Sequence, residues 1–206
     1  MGSPANIFAI EGRSLLARMG WRALPLHLVL IAAFGVFLPW SKGIEFLDPV
    51  MLAAYACLGV VFAAPAAGQS FIERPKSMGQ AIARIGIAVV YGEIMALAML
   101  AAGLITVYLR HPLLPIAPDV IGLAGANAFG LACSFALAAI SGWIAMRFSP
   151  GASRLAMRLI FLALLLVFFF RSRWLPDFAV TGTAVSLAAG LAAIWAIRGE
   201  LHNSMA

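Results

Sequence analysis

Long uncharged apolar stretches recur along this chain. Residues 23–41, 49–72, 94–109, 120–146 and 178–197 contain no Asp, Glu, Lys or Arg. A helix needs ~20 mostly apolar residues to cross the ~30 Å hydrocarbon core of a bilayer. In lipid every backbone N–H and C=O must be paired within the fold, which restricts such stretches to helices. With a sixth stretch at about 155–174, they predict an all-α integral membrane protein built as a bundle of six transmembrane helices.

The spans are expected at about 24–41, 49–69, 85–108, 120–146, 155–174 and 178–197. The fifth is short. Only LIFLALLLVFFF (159–170) is free of charge, about 18 Å of helix. Arg158 and Arg171 must then snorkel toward opposite interfaces, and a re-entrant segment here would reverse the side on which the chain ends. Charged residues make up 11% of the chain and hydrophobic residues 64%, whereas a soluble domain carries roughly twice that charge. No polar stretch is long enough for a second domain, so residues 1–206 read as a single transmembrane domain.

The net charge of +6 is scattered over span ends, which argues for topology and against nucleic acid as a partner. Ten of the 14 basic residues fall on one side: Arg13, Arg18, Arg22, Arg74, Lys76, Arg84, Arg147, Arg154, Arg158 and Arg198. Lys42, Arg110, Arg171 and Arg173 fall on the other, with Glu45, Asp48, Asp119 and Asp177. The excess of Lys and Arg on cytoplasmic loops places both termini in the cytoplasm. Trp21, Trp40, Trp143 and Trp174 lie near span ends, where interfacial aromatics collect. The opening MGSPANIFAIEG lacks the basic region and apolar core of a cleavable signal peptide.

Residues 5–22 read as an N-terminal amphipathic interfacial helix, with Ile7, Phe8, Ile10, Leu15, Leu16 and Met19 on the apolar side and Glu11, Arg13, Arg18 and Arg22 on the polar side. The plainer alternative is that this segment extends the first span into the cytoplasm. Pro25 is expected to begin that span. The 70–84 loop is the longest on the cytoplasmic side. It is polar and partly helical, with Pro75 able to break one helix and Ser77 able to cap the next. In the fourth span Gly122, Ala126, Gly130, Ser134, Ala138 and Gly142 recur every four residues, and Gly182, Ser186 and Gly190 repeat the pattern in the sixth. Small residues at this spacing let helix backbones approach in lipid, within one bundle or across a dimer.

Glu93 is the one ionisable residue deep within a span. A carboxylate there is costly and marks a functional candidate: a protonatable site, a substrate contact, or a structural link to Asn127 or a serine. The two cysteines and three histidines have neither CxxC nor HExxH spacing, so no metal site is expected. No catalytic constellation is present. Ser141 in AISG has no histidine on the last two spans to activate it, no adjacent glutamates occur, and no GxxxxGK[ST] phosphate loop exists.

The layout resembles the membrane subunit of type-2 ABC transporters, the exporter permease class. The stretches that carry the resemblance are EGRSLLARMGWRALPL (11–26), GQSFIERPKSMGQAIARI (68–85) and GWIAMRFSPGASRLAMRLI (142–160). Within the second, Phe71, Glu73, Arg74 and Gly79 match the family's aromatic, Glu-Arg and glycine positions, although Pro75 interrupts the usual pattern. The short RSRWLPD link (171–177) leaves no room for the outer re-entrant helices of many members. The resemblance implies a permease of a bacterial plasma (inner) membrane, paired with a second copy or a similar chain. A separate ATPase would dock on the 70–84 coupling loop, and ATP and Mg would sit on that subunit, with no cofactor on this chain. Two other readings stay open: a non-catalytic membrane subunit or assembly factor of a larger complex, and a proton-coupled carrier using Glu93. The sparse polar groups of the spans (Glu93, Asn127, Ser134, Thr106, Thr181 and Thr183) suit a hydrophobic or amphipathic cargo.

Overall fold

The structure is a computed structural model that describes residues 4–112, 120–171 and 179–203. Every element among them is helical. The elements are α1 (Pro4–Leu30), a π-helical segment (Ile31–Phe37), α2 (Leu38–Lys42), a 3-10 turn (Gly43–Leu47), α3 (Pro49–Ala56), α4 (Gly59–Phe71), α5 (Met78–Arg110), α6 (Val120–Arg147), α7 (Pro150–Arg171) and α8 (Ala179–Asn203). Four helical stretches are long and apolar enough to cross a membrane: Pro25–Leu47, Met78–Arg110, Ala124–Arg147 and Thr181–His202. Among the described residues the fold is all-helical, and its four long apolar helices have the length and composition of an integral membrane protein.

Three features differ from the expected layout. First, the amphipathic segment and the first span are not separate helices. α1 runs unbroken through Pro25 and passes directly into the π segment. Hydroxyls from neighbouring helices bond to carbonyls of this segment: Tyr55 donates to Phe34 O and Thr106 donates to Gly35 O. Second, the apolar run 49–69 is two helices joined at Cys57–Leu58. The backbone tightens to i→i−3 bonding there, with Cys57 N–H on Ala54 O at 3.2 Å and Leu58 N–H on Tyr55 O at 3.1 Å. These bonds keep the amides paired where water is scarce. Third, α7 covers the expected fifth span only as far as Arg171 and is not one of the four long apolar stretches. Asp119, Arg173, Trp174 and Asp177 lie outside the described residues.

α5 has 33 residues, about 50 Å at 1.5 Å per residue. That exceeds the hydrocarbon thickness, so it tilts or projects from the bilayer. Ser77 caps it as expected, accepting the Gln80 N–H at 3.2 Å.

α4 is the buried centre, packed on α5, α6 and α7, while α6 lies between α4 and α8. Two apolar clusters fill the bundle. One gathers Phe34, Phe46, Tyr55, Leu58, Phe62, Met99 and Val107; the other gathers Ala67, Phe71, Ile85, Ala138, Met146 and Ile197. The helices approach through glycine. A Cβ on Gly92 would overlap the Gly59 carbonyl, and Gly68 leaves room for the Met157 thioether. Gly43, at φ 58°, sits under His111, and that backbone conformation favours glycine.

The Glu11–Arg84 and Arg147–Glu200 pairs, together with the Arg74 bond to Met146 O, place the start of α1 and the last turns of α8 at the same end of the bundle as the 72–77 loop. At the other end the Arg110 guanidinium lies 5.4 Å from the Trp40 ring centroid and donates to Trp40 O.

Gly92→Ala is expected to destabilise the bundle by about 1–3 kcal/mol, because the obstacle is backbone that cannot rotate away. Gly125→Ala, at a position with nothing within 4 Å, is expected to leave thermal stability unchanged or raised. Thermal unfolding of both variants in one detergent checks the contrast.

Candidate functional site: a braced loop and a buried carboxylate

The loop between α4 and α5 is short. α4 ends at Phe71 and α5 begins at Met78, so residues 72–77 alone are non-helical and 78–84 form the first turns of α5. One side chain holds this loop in place. The Arg84 guanidinium is 6% exposed and pairs with Glu11 of α1 at 2.8 Å. It also donates to Ser70 O at 2.7 Å and to Glu73 O. Gln80 completes the arrangement. Its amide donates to the other Glu11 oxygen, and its side-chain oxygen accepts the Lys76 N–H at 2.7 Å. A guanidinium presents a planar fork of five donors, which suits it to one carboxylate and two carbonyls at once. The loop, the start of α1 and the first turns of α5 are thereby tied into one unit.

The four residues matched to the coupling pattern occupy different surroundings. Phe71 is 0% exposed and packs against Gly142, where a Cβ would stand 3.1 Å from its ring. It is a core residue and presents nothing to a docking protein. Arg74 is exposed, but its guanidinium reaches α6 and donates to Met146 O at 3.1 Å. Glu73 and Gly79 are both exposed, and a side chain at 79 would meet only Ser77 Oγ at 3.9 Å. The exposed positions here are Glu73, Arg74, Lys76 and Ser77 in the loop and Gly79 in the first turn of α5.

Glu93 lies where α4, α5 and α6 meet. It is 9% exposed, and Ser134 of α6 donates to its Oε1 at 3.2 Å. Of the partners considered from sequence, a serine takes the bond and Asn127 does not. Oε2 of Glu93 and Oδ1 of Asn127 are buried with no hydrogen-bond partner among the described residues, as is Ser141 Oγ. Gly59, the first residue of α4, admits the carboxylate. A Cβ there would stand 2.7 Å from Oε1. Around this point lie two thiols. Cys57, in the turn before α4, donates to Ala126 O at 3.5 Å, and Cys133 lies 3.3 Å from the Ser186 hydroxyl of α8. No group of three His, Cys, Asp or Glu side chains among the described residues could hold a metal ion.

The small-residue stripe of α6 is used inside the chain from Ala126 to Gly142. Ala126, Gly130, Ser134, Ala138 and Gly142 are all buried, while for Gly122 only its place in the helix is described. The α8 stripe meets the adjoining side of α6, with Gly182 against Phe129 and Gly190 against Phe135 and Ala136.

Sequence reading missed Glu11 and Arg84 as a functional pair. Each was assigned to an exposed or interfacial position, and the two are far apart along the chain. A cue was present in Ala81, Arg84, Ile85 and Ala88, which continue the apolar face of α5 with Arg84 set among buried positions.

Arg84→Ala leaves the Glu11 carboxylate buried and unpaired, and is expected to cost about 3–5 kcal/mol and to expose the 72–77 backbone to protease. The double variant Glu11→Leu with Arg84→Met is expected to regain part of that stability. A double-mutant cycle on thermal unfolding, with limited proteolysis beside it, measures both effects. Comparison of the chain with family models, with curated proteins and with solved structures finds no match in any of the three.

Proposed function

We propose that this chain is the membrane-spanning permease subunit of an ATP-driven exporter of the type-2 ABC class. The observation that carries the reading is the braced loop. Glu73, Lys76 and Gly79 face outward on a segment that Arg84 ties to both α1 and α5. A motor protein pressing on an exposed loop does work on a bundle only if the loop transmits displacement, and a buried guanidinium holding three elements provides that stiffness. In this reading the chain crosses the membrane six times, with α3 and α4 together forming the second crossing and α7 the fifth. The end bearing Arg74, Lys76, Arg84, Arg147, Arg154, Arg158 and Arg198 is cytoplasmic, in a bacterial plasma membrane.

A separate ATPase would bind and hydrolyse ATP with Mg, and a second permease chain would complete the path. Cargo moves when the two bundles alternate between states of different affinity. The sparse polar lining suits a hydrophobic or amphipathic substrate. The reading as a non-catalytic membrane subunit or assembly factor of a larger complex stays as an alternative; the α6 positions from Ala126 to Gly142 that suggested it are buried within this chain.

A second reading rests on Glu93. A buried carboxylate with an unpartnered oxygen, set against a break between two helices, is the arrangement a proton-coupled carrier needs. Under it, Glu93→Gln abolishes transport in vesicles driven by a pH gradient, and ATP has no effect.

The test of the first reading is affinity purification from native membranes in mild detergent. A soluble ATPase is expected to co-purify with the wild-type chain and to be lost on Gly79→Trp. A Cβ at this exposed position meets only Ser77 Oγ at 3.9 Å, and the unfolding temperature is expected to stay unchanged. Retention of the ATPase by the folded variant, or its absence from the wild-type preparation, counts against the coupling-loop reading.

A further inference from the structure

We propose that the first turns of α7 form a binding site for an anionic phospholipid, with Arg154 and Arg158 holding the headgroup phosphate. α7 attaches to the bundle through one side. Ser153 and Met157 are fully buried there, with the Ser153 hydroxyl donating to Ala145 O at 3.3 Å and Met157 seated on Gly68. Arg154 and Arg158 follow each of these by one residue and are exposed. Four positions apart on a helix, they lie on one face, one above the other.

Neither arginine forms an ion pair among the described residues, and the chain carries no acidic residue between 120 and 176. Like charges one turn apart repel, so an anion bound between them relieves the helix as well as being held by it. The planar donor forks of two guanidinium groups match phosphate oxygens.

The surroundings select a lipid over a soluble phosphate or an acidic protein. Leu155, Leu159 and Leu162 are exposed beside the arginines, and the exposed apolar surface runs on along α7 to Leu166. A phosphate held by Arg154 and Arg158 therefore has acyl-binding surface directly below it. An amphipathic segment with basic residues above leucines is the pattern that seats at the headgroup boundary of a membrane. Two basic side chains near an anionic headgroup give about a thirtyfold preference over a zwitterionic one.

The test is native mass spectrometry of the purified chain in mild detergent with dioleoyl phosphatidylglycerol or dioleoyl phosphatidylcholine at equal concentration. The expected result is retention of phosphatidylglycerol about thirtyfold above phosphatidylcholine. The preference is expected to fall in R154Q and in R158Q, to vanish in R154Q/R158Q, and to be kept only in part in R154K/R158K, which retains the charge and loses the planar forks. Unfolding temperatures in lipid-free detergent verify that each variant is folded, and the single variants carry the test if the double one is not. Glycerol phosphate in excess is expected not to displace the lipid. Equal retention of the two lipids, an unchanged preference in the folded glutamine variants, or displacement by glycerol phosphate would overturn the proposal.

Discussion

The fold depends on helix backbones coming into direct contact. Inside a bilayer, burying a leucine against another helix gains little over leaving it in lipid, so association rests on close packing. The chain meets this demand with glycine and alanine where helices cross. Gly92 lies against the Gly59 carbonyl, Gly142 against the Phe71 ring, and Gly190 against Phe135. The large apolar side chains are divided between two uses. Tyr55, Phe46 and Phe71 fill the interior, whereas Ile94, Leu109, Leu159, Leu191 and Trp195 face outward from the bundle.

Charge is placed by the same economy. A single buried ion pair within a membrane protein is a weak source of stability, because desolvating both groups offsets their attraction. The value of Glu11 and Arg84 lies in what they join. Arg84 is committed to two carbonyls of the loop as well as to Glu11, so the loop cannot shift without leaving several buried groups unpaired. The exposed Arg147–Glu200 pair joins only two helix ends and contributes little. The two pairs look alike in a sequence and differ because one is dry and multiply bonded.

Much of the architecture was legible because lipid imposes length and apolarity together. The apolar stretches at 23–41, 94–109, 120–146 and 178–197 correspond to the four long helical spans. The α6 periodicity falls on positions that are buried from Ala126 to Gly142, and Ser77 caps α5 as its place before the helix suggests. The break at Cys57–Leu58 was not legible. YACLGVV carries no proline or charged residue, and its tightening is a matter of hydrogen-bond register that composition does not encode. The continuity of α1 through Pro25 was hidden for the opposite reason, since proline usually marks a boundary. At the candidate site, Glu93 was legible because a carboxylate in an apolar run has no ordinary explanation. The burial of Phe71 was not legible, because one aromatic beside a polar loop looks the same whether it faces out or anchors the loop inward.

Glu93 sits just to one side of the level where the two apolar clusters meet. On α5 the cluster near the 72–77 loop ends at Val89, and the other begins at Tyr91. On α4 the corresponding boundary falls between Phe62 and Ala66. The carboxylate is held by one hydroxyl from α6 and faces Gly59 of α4, within the second cluster. Close backbone contacts such as Gly92 on Gly59 do not deform continuously, and a hydrogen bond of fixed length does not tolerate sliding either. A relative movement of α4, α5 and α6 would therefore disturb the Glu93–Ser134 bond together with this packing. That links the two polar features of the molecule. Arg84 ties the loop to the first turns of α5, and Glu93 lies on the same helix at the level where a displacement of those turns would alter the packing.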